Sequence, residues 1–272
     1  WEGASSAPRA SVGGSAVAGP ILVDRRIARL PRADLDDRPA DFVDDRVATL
    51  AADVGVDAPA VTVVRADAAN VAVTDGYRGS RLVVSTRLLS LPKGDRDAAL
   101  RHALVRIRTR EAAVATALLP SLAVVETVAL LATLLIGRRG ERTAADRRVN
   151  RIHGYEPDRE RVPSWAYAVG GVLLWALLLP AWIPAAVGDR LYVAGGRRAA
   201  DAAVARVGSA ERDGLGNAVA FASDAAGAAD WPPVLDRLSL VSMADGETGR
   251  VRGTSRQDAR VRLARLRSKR PL

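Results

Sequence analysis

The sequence has no cysteine and only two histidines, His102 and His153, in 272 residues. Without cysteine there is no structural disulfide, no thiolate metal site and no cysteine nucleophile. Two histidines restrict any imidazole-based metal site, because tight zinc sites with nitrogen and oxygen ligands draw on two or three. Lysine is nearly absent too: Lys93 and Lys269 are the only two, against 38 arginines. Neither lysine is placed to serve a Ser/Lys dyad, no G-x-S-x-G occurs, and no pair of aspartates lies in an apolar stretch. Two phenylalanines and four tyrosines leave the apolar content to Ala, Val and Leu.

The long apolar runs are the most conspicuous feature that is present. Ala112–Ile136 carries one charge, Glu126, in 25 residues, and Trp165–Val187 carries none in 23. Both exceed the roughly 20 residues that cross a ~30 Å hydrocarbon layer. Trp165 and Trp182 stand near the ends of the second run, where amphipathic rings favour the headgroup layer. Pro120, Pro180 and Pro184 are tolerable in membrane helices, where neighbours re-satisfy the freed carbonyls. The expectation is a two-helix transmembrane hairpin in a multi-pass cell-membrane protein. Glu126 reads either as a functional group facing a cavity or as a protonated carboxyl bonded to a carbonyl or neighbouring helix. The loop between the runs, 137–164, holds eight arginines, but Arg101, Arg106, Arg108, Arg110, Arg190, Arg197 and Arg198 flank the other side, so orientation stays open.

Outside these runs the pattern is mixed α and β. Residues 1–20 are rich in Gly, Ala and Ser and read as linker. DFVDDRVATLAADV, ending at Val54, has helical spacing of Phe42, Val43, Val47, Leu50 and Ala51. Three short strands follow, centred on Val61–Val64, Val71–Val73 and Leu82–Val84, with turns at Asn70, Asp75-Gly76 and Gly79. Leu88–Leu91 and Pro92 suggest a short helix and stop. Asp95 is the expected cap of a helix from about Arg96 that runs through RHALVRIRTRE, residues 101–111, toward the first apolar run. Beyond the second run, Asp189–Val207 reads as a helix, Gly208–Gly216 as a break, Asn217–Ala226 as a helix, and Arg256–Arg267 as a basic terminal helix.

The order DAANVAV (Asp67–Val73), LVVSTRLLSL (Leu82–Leu91), RHALVRIRTRE, two apolar runs and GGRRAADAAVARVG (Gly195–Gly208) resembles that of the HtpX-like and CAAX-prenyl-protease class of integral-membrane zinc metallopeptidases. SRQDARVRLARL, Ser255–Leu266, stands where that class has a T-H-P-P segment before a basic helix. The likeness covers roughly Ile21 to Leu266; the family's first pair of membrane helices has no counterpart here. It implies an α+β membrane protein: a mostly helical, zincin-like domain with a small antiparallel sheet, formed by 21–111 and 188–272 and interrupted by the spans 112–136 and 165–187.

The chemistry of that class departs at each key position. In H-E-x-x-H, two histidines at i and i+4 bind one zinc and the glutamate is the general base. Here His102 matches the first histidine, Ala103 takes the glutamate position, and Arg106 takes the second histidine. The third ligand falls at Arg197 if Ala200-Asp201 is matched, or at Gly196 if Gly208 is the anchor, and the T-H-P-P histidine falls at Arg256. His153, in the loop between the runs, cannot complete the set. His102 then reads as an ordinary neutral helix residue, and Arg106, Arg108 and Arg110 as a solvated or phosphate-facing surface. No catalytic residue, no metal ligand and no cofactor is expected, zinc being the cofactor of the active family.

The resemblance implies a catalytically inactive homologue that binds or regulates protein partners at the membrane. Two alternatives remain: a basic surface module for anionic lipid, with RVRLARLRSKR (Arg260–Arg270) as an interfacial helix, and a membrane peptidase with a rebuilt site. The expected partners are membrane lipid and other membrane proteins, an active paralogue among them. Nucleic acid is not expected, since the basic stretch lacks stacking aromatics.

Overall fold

The computed structural model describes residues 19–31, 33, 37–77, 79–121, 124, isolated positions from 169 to 187, and 188–225, 231–242 and 256–268. One compact unit comprises residues 1–118 and 188–272, the other residues 119–187. Val172 and Leu173 of the second unit are helical and exposed.

In the first unit, helix α1 covers residues 19–27 and helix α2 Asp37–Val54. Strands β1 (Ala60–Val64), β2 (Val71–Gly76) and β3 (Gly79–Ser85) follow. The sheet order is β1-β3-β2, with β2 and β3 an antiparallel hairpin and β1 parallel to β3. The sheet is therefore mixed, not antiparallel as expected. After β1 the chain crosses to the far edge through 65–70, so the hairpin returns β3 between β1 and β2. The strands themselves fall where the β-branched runs stood, with Leu82, Val83 and Val84 buried in the central strand.

Helix α3, Thr86–Leu89, starts from Ser85, whose hydroxyl accepts from the Leu88 N–H at 3.1 Å. Helix α4, Lys93–Arg108, then runs through the middle of the unit and packs on α2, β2, and two later helices, α6 (Ala194–Val207) and α7 (Ser209–Ala225). Its cap residue is Pro92, and Asp95 lies inside the first turn, where a carboxylate favours the positive helix end. Leu100 and Leu104 are enclosed, and each contributes roughly 1.5–3 kcal/mol by leaving water. Because α4 is surrounded, its polar residues His102 and Arg106 are enclosed as well.

The helix does not continue through RHALVRIRTRE. Thr109 caps it, Arg110 takes the left-handed conformation (φ 55°), and a new helix, α5, covers residues 111–121. A non-glycine residue in that conformation costs roughly 1–2 kcal/mol. The reversal carries Glu111 back beneath the last turn of α4.

Among the described residues no helix is long and apolar enough to cross a membrane. This overturns the expected transmembrane hairpin, and with it the membrane fold class and the multi-pass localisation. The physical reason is visible at the start of the first apolar run. Ala112, Ala115 and Thr116 of α5 are buried in the compact unit, the Thr116 hydroxyl accepts from the Asp75 N–H at 3.4 Å, and Gly19 of α1 packs so closely that a Cβ there would lie 2.2 Å from the Thr116 carbonyl oxygen. These apolar residues serve protein packing. Most of the two runs, the loop 137–164 with His153, and Glu126 lie outside the described residues.

A π-helical turn, Asp189–Val193, leads into α6. Only Gly208 separates α6 from α7, so the break expected over Gly208–Gly216 shrinks to one residue. Gly214 is there for proximity, since a Cβ would sit 3.0 Å from the Gly94 carbonyl oxygen where α7 crosses the start of α4. A 3-10 turn, Pro233–Leu238, precedes residues 239–242, and α8, Arg256–Arg267, packs on α7.

Candidate functional site

His102 and Arg106 lie one turn apart on α4, and Arg197 and Asp201 one turn apart on α6, so each pair shares a helix face. The packing of α4 on α6 brings the two faces together. Arg262 enters from α8. All five are nearly excluded from solvent, at 0 to 4 % exposure.

Two ionic corners result. In one, the Arg262 guanidinium grips Asp201 with both arms, Nε to Oδ2 at 3.0 Å and NH2 to Oδ1 at 2.8 Å. His102 Nε2 is 3.2 Å from the same Oδ1 and 3.4 Å from Arg262 NH2. Burial pushes the His102 pKa down, and the neighbouring Arg262 and Arg106 add to that against the pull of Asp201. The ring is therefore neutral, and the hydrogen is assigned to Nε2, which donates to Asp201. Nδ1 is then an acceptor without a hydrogen-bond partner among the described residues. Burial alone would raise the Asp201 carboxyl; the Arg262 charge and the His102 hydrogen bond hold it far below the usual carboxylate range.

In the other corner Arg106 meets Glu111 in a bidentate pair, Nε to Oε2 and NH2 to Oε1, the latter at 3.0 Å. Glu111 fits because Gly196 of α6 lies against it, where a Cβ would come within 2.4 Å of the Glu111 Cγ. Arg106 is thus a core residue, not the solvated surface the sequence suggested; Arg108 and Arg110 are exposed.

The three arginines also share a target. Arg197 NH2 donates to the Arg237 carbonyl at 2.7 Å, Arg106 NH1 to the Leu238 carbonyl at 2.7 Å and more weakly to Ser239 at 3.4 Å, and Arg262 NH1 to the Leu240 carbonyl at 2.6 Å. This segment lies along the outer edge of β2, with Ala72 bridged to Ser239 and the Leu240 N–H donating to the Val71 carbonyl at 2.8 Å. Asn70, read from the sequence as a turn, is fully buried and binds both backbone groups of Val241: its Nδ2 donates to the carbonyl at 2.7 Å, and its Oδ1 accepts from the N–H at 3.3 Å. Leu235, Leu238, Leu240 and Trp231 anchor the segment in the core. Trp231 Nε1 donates to the Ser239 hydroxyl at 2.8 Å, and that hydroxyl donates to the Leu235 carbonyl at 2.6 Å.

Of the positions singled out in the sequence, His102, Arg106 and Arg197 converge here. Ala103 is buried among apolar neighbours, Gly196 makes room for Glu111, and Arg256 opens α8 six residues before Arg262.

The residues present do not fit zinc. The ion needs three or four donors, with neutral imidazole and ionised carboxylate free to ligate. His102 and Asp201 are the two such groups in their corner, both engaged by each other and Arg262. Arg106 and Arg197 bring guanidinium charge to the positions where the resemblance puts ligands. Among the described residues no group of three His, Cys, Asp or Glu side chains could hold a metal. The buried charged groups here, Arg106, Arg197 and Arg262 against Glu111, Asp201 and Asp236, balance in sign, so no surplus negative charge invites a cation.

Glu111, Asn70 and Arg262 were not picked out from the sequence. A signal for Arg262 existed: Ala259, Arg262, Leu263 and Leu266 fall at i, i+3, i+4 and i+7, so a charge sits in the apolar stripe of α8. That stripe faces α7, and the buried members Ala259 and Leu266 show that the helix spends its apolar face inside the protein. No protein-family model matches the chain, and no curated protein and no solved structure matches it.

Proposed function

We propose that this chain is a non-catalytic relative of the metallopeptidases it resembles and acts by binding or regulating protein partners. The observation that carries the reading is the arginine clamp: three buried guanidiniums at or beside the altered motif positions fasten the chain's own carbonyls at 237–240. Ala103 cannot take a proton from water. His102 directs its Nε2–H at Asp201, and a neutral imidazole beside two guanidiniums is a poor base. An extended peptide commonly binds by adding to a free sheet edge, and here residues 239–241 already take that place on β2. Displacing the segment 237–241 would expose Leu238, Leu240 and Val241 and take from three buried guanidiniums the carbonyls they hold, a large cost. Partner contacts therefore use other surfaces of the protein.

The test uses the full chain. Bound zinc is measured by elemental analysis with and without added Zn²⁺, and hydrolysis of an unstructured protein substrate is followed with and without chelator. Substoichiometric zinc and no chelator-sensitive hydrolysis are expected; one tightly held zinc per chain, or hydrolysis that chelator stops, overturns the non-catalytic reading. Photo-crosslinking in the native cell is expected to trap a discrete stoichiometric partner. A diffuse background alone counts against the partner role.

A further inference from the structure

A second cluster of arginines has no such internal use. Arg26 and Arg29, at the end of α1 and in the turn after it, line a cavity of about 250 Å³ together with Arg65, which follows β1. Leu30, Val64 and Pro232 are among its apolar lining residues, and no carboxylate lines it. The geometry is held by backbone bonds: the Leu30 N–H donates to Ile27 at 3.1 Å, and the Arg65 N–H to Pro31 at 3.3 Å. All three arginine residues are exposed. None forms an ion pair with a carboxylate among the described residues, although elsewhere Arg46 and Arg101 find Asp97 and Asp53.

The negative end of α1 accounts for a cation at its last turn. It does not account for Arg65, which comes from the chain after β1, nor for gathering three arginines around one largely apolar hollow. Like charges repel, and the arrangement is relieved by an anion between them. Guanidinium forks match the oxygens of phosphate and carboxylate, and three of them favour the more highly charged phosphate. A hollow of this volume exceeds what a bare phosphate needs, and its apolar lining would take a small organic group.

We propose that this cavity binds a small organic phosphate monoester, the phosphate held by Arg26, Arg29 and Arg65 and the organic part resting on Leu30, Val64 and Pro232. The inference is independent of the peptidase resemblance, because the cavity shares no residue with the buried clamp.

The probe is phenyl phosphate, titrated calorimetrically into the full chain at about 50 mM salt, where exposed charges are only partly screened. Inorganic phosphate, benzoate and phenol are the comparison ligands. Saturable one-to-one binding is expected for phenyl phosphate, with the others weaker. The double variant Arg29→Gln/Arg65→Gln, with a melting temperature close to that of the parent chain, should bind about tenfold more weakly or worse. Should the double variant fail to fold, Arg26→Gln alone serves the same comparison. No saturable binding, or binding indifferent to the substitutions, overturns the site. Equal binding of inorganic phosphate removes the organic part of the assignment, and equal binding of benzoate removes the phosphate.

Discussion

Arg101 and Arg106 lie five residues apart on one helix, both pair with carboxylates, and the two pairs teach different things. Arg101 meets Asp53 at 3.0 Å at the rim, with side-chain exposures of 16 % and 51 %. Arg106 meets Glu111 with exposures of 1 % and 2 %. At the rim, water competes for both partners and the pair adds little. In the interior no water replaces a lost partner, so removing one member strands the other at a large cost. The same residue type is decoration in one place and a structural necessity in the other, and burial alone makes the difference.

Arg106→Ala should break that comparison most severely. It strands Glu111 and the Leu238 carbonyl together, and equilibrium denaturation should register a loss of about 3–5 kcal/mol. An Arg106→Met/Glu111→Leu chain should recover much of this, because both buried charges are gone. A double variant no better than Arg106→Ala would mean that packing, not charge, dominates the corner.

Acid should separate the corners next. The folded His102 pKa lies below its ordinary value, so below about pH 6.5 the unfolded chain binds the proton and the folded chain does not. Stability therefore falls as pH drops through this range, by at most about 1.4 kcal/mol per pH unit from this group. The depressed Asp201 carboxyl contributes stability that is present in full above its unfolded value of about 3.9 and is lost as pH falls toward the folded one. Unfolding curves of His102→Gln between pH 5 and 6.5 should be flatter than those of the parent chain. An unchanged slope would show that His102 does not titrate on unfolding.

Gly196→Ala tests the fit around Glu111, since the new Cβ would sit on the Glu111 Cγ. A loss of about 1–3 kcal/mol is expected, and the double variant lacking Glu111 should tolerate the alanine far better. A full loss retained in that double variant would place the clash elsewhere. The smallest effect belongs to the rim: Arg101→Ala should cost less than about 1 kcal/mol, and less still at high salt. A loss as large as that of Arg106→Ala would abolish the distinction drawn here.

Much of the local structure was legible in the residues. The β-branched runs became β1 to β3, and the spacing of Val43, Val47, Leu50 and Ala51 became α2, because periodicity is set by neighbours in sequence. The apolar start of Ala112–Ile136 was misread because apolarity alone does not say whether the covering surface is lipid or protein. Glycines misled in a related way: Gly214 looked like a break, yet it permits α7 to cross α4 closely. At the site, His102, Arg106 and Arg197 were selected through a family pattern, while Asp201's real partner, Arg262, lies 61 residues further along the chain.

What the sequence by itself determined is a set of exclusions and periodicities: no thiol chemistry, too few imidazoles for a histidine-rich metal site, and the three strands and the α2 helix close to their observed places. Tertiary structure decided which of 38 arginines are inside and what they hold. A guanidinium is tolerated in the core only where acceptors meet it in the right geometry. Those acceptors, Glu111 behind a helix reversal, Asp201 on α6 and the carbonyls of 237–240 along β2, come together only when distant parts of the chain pack.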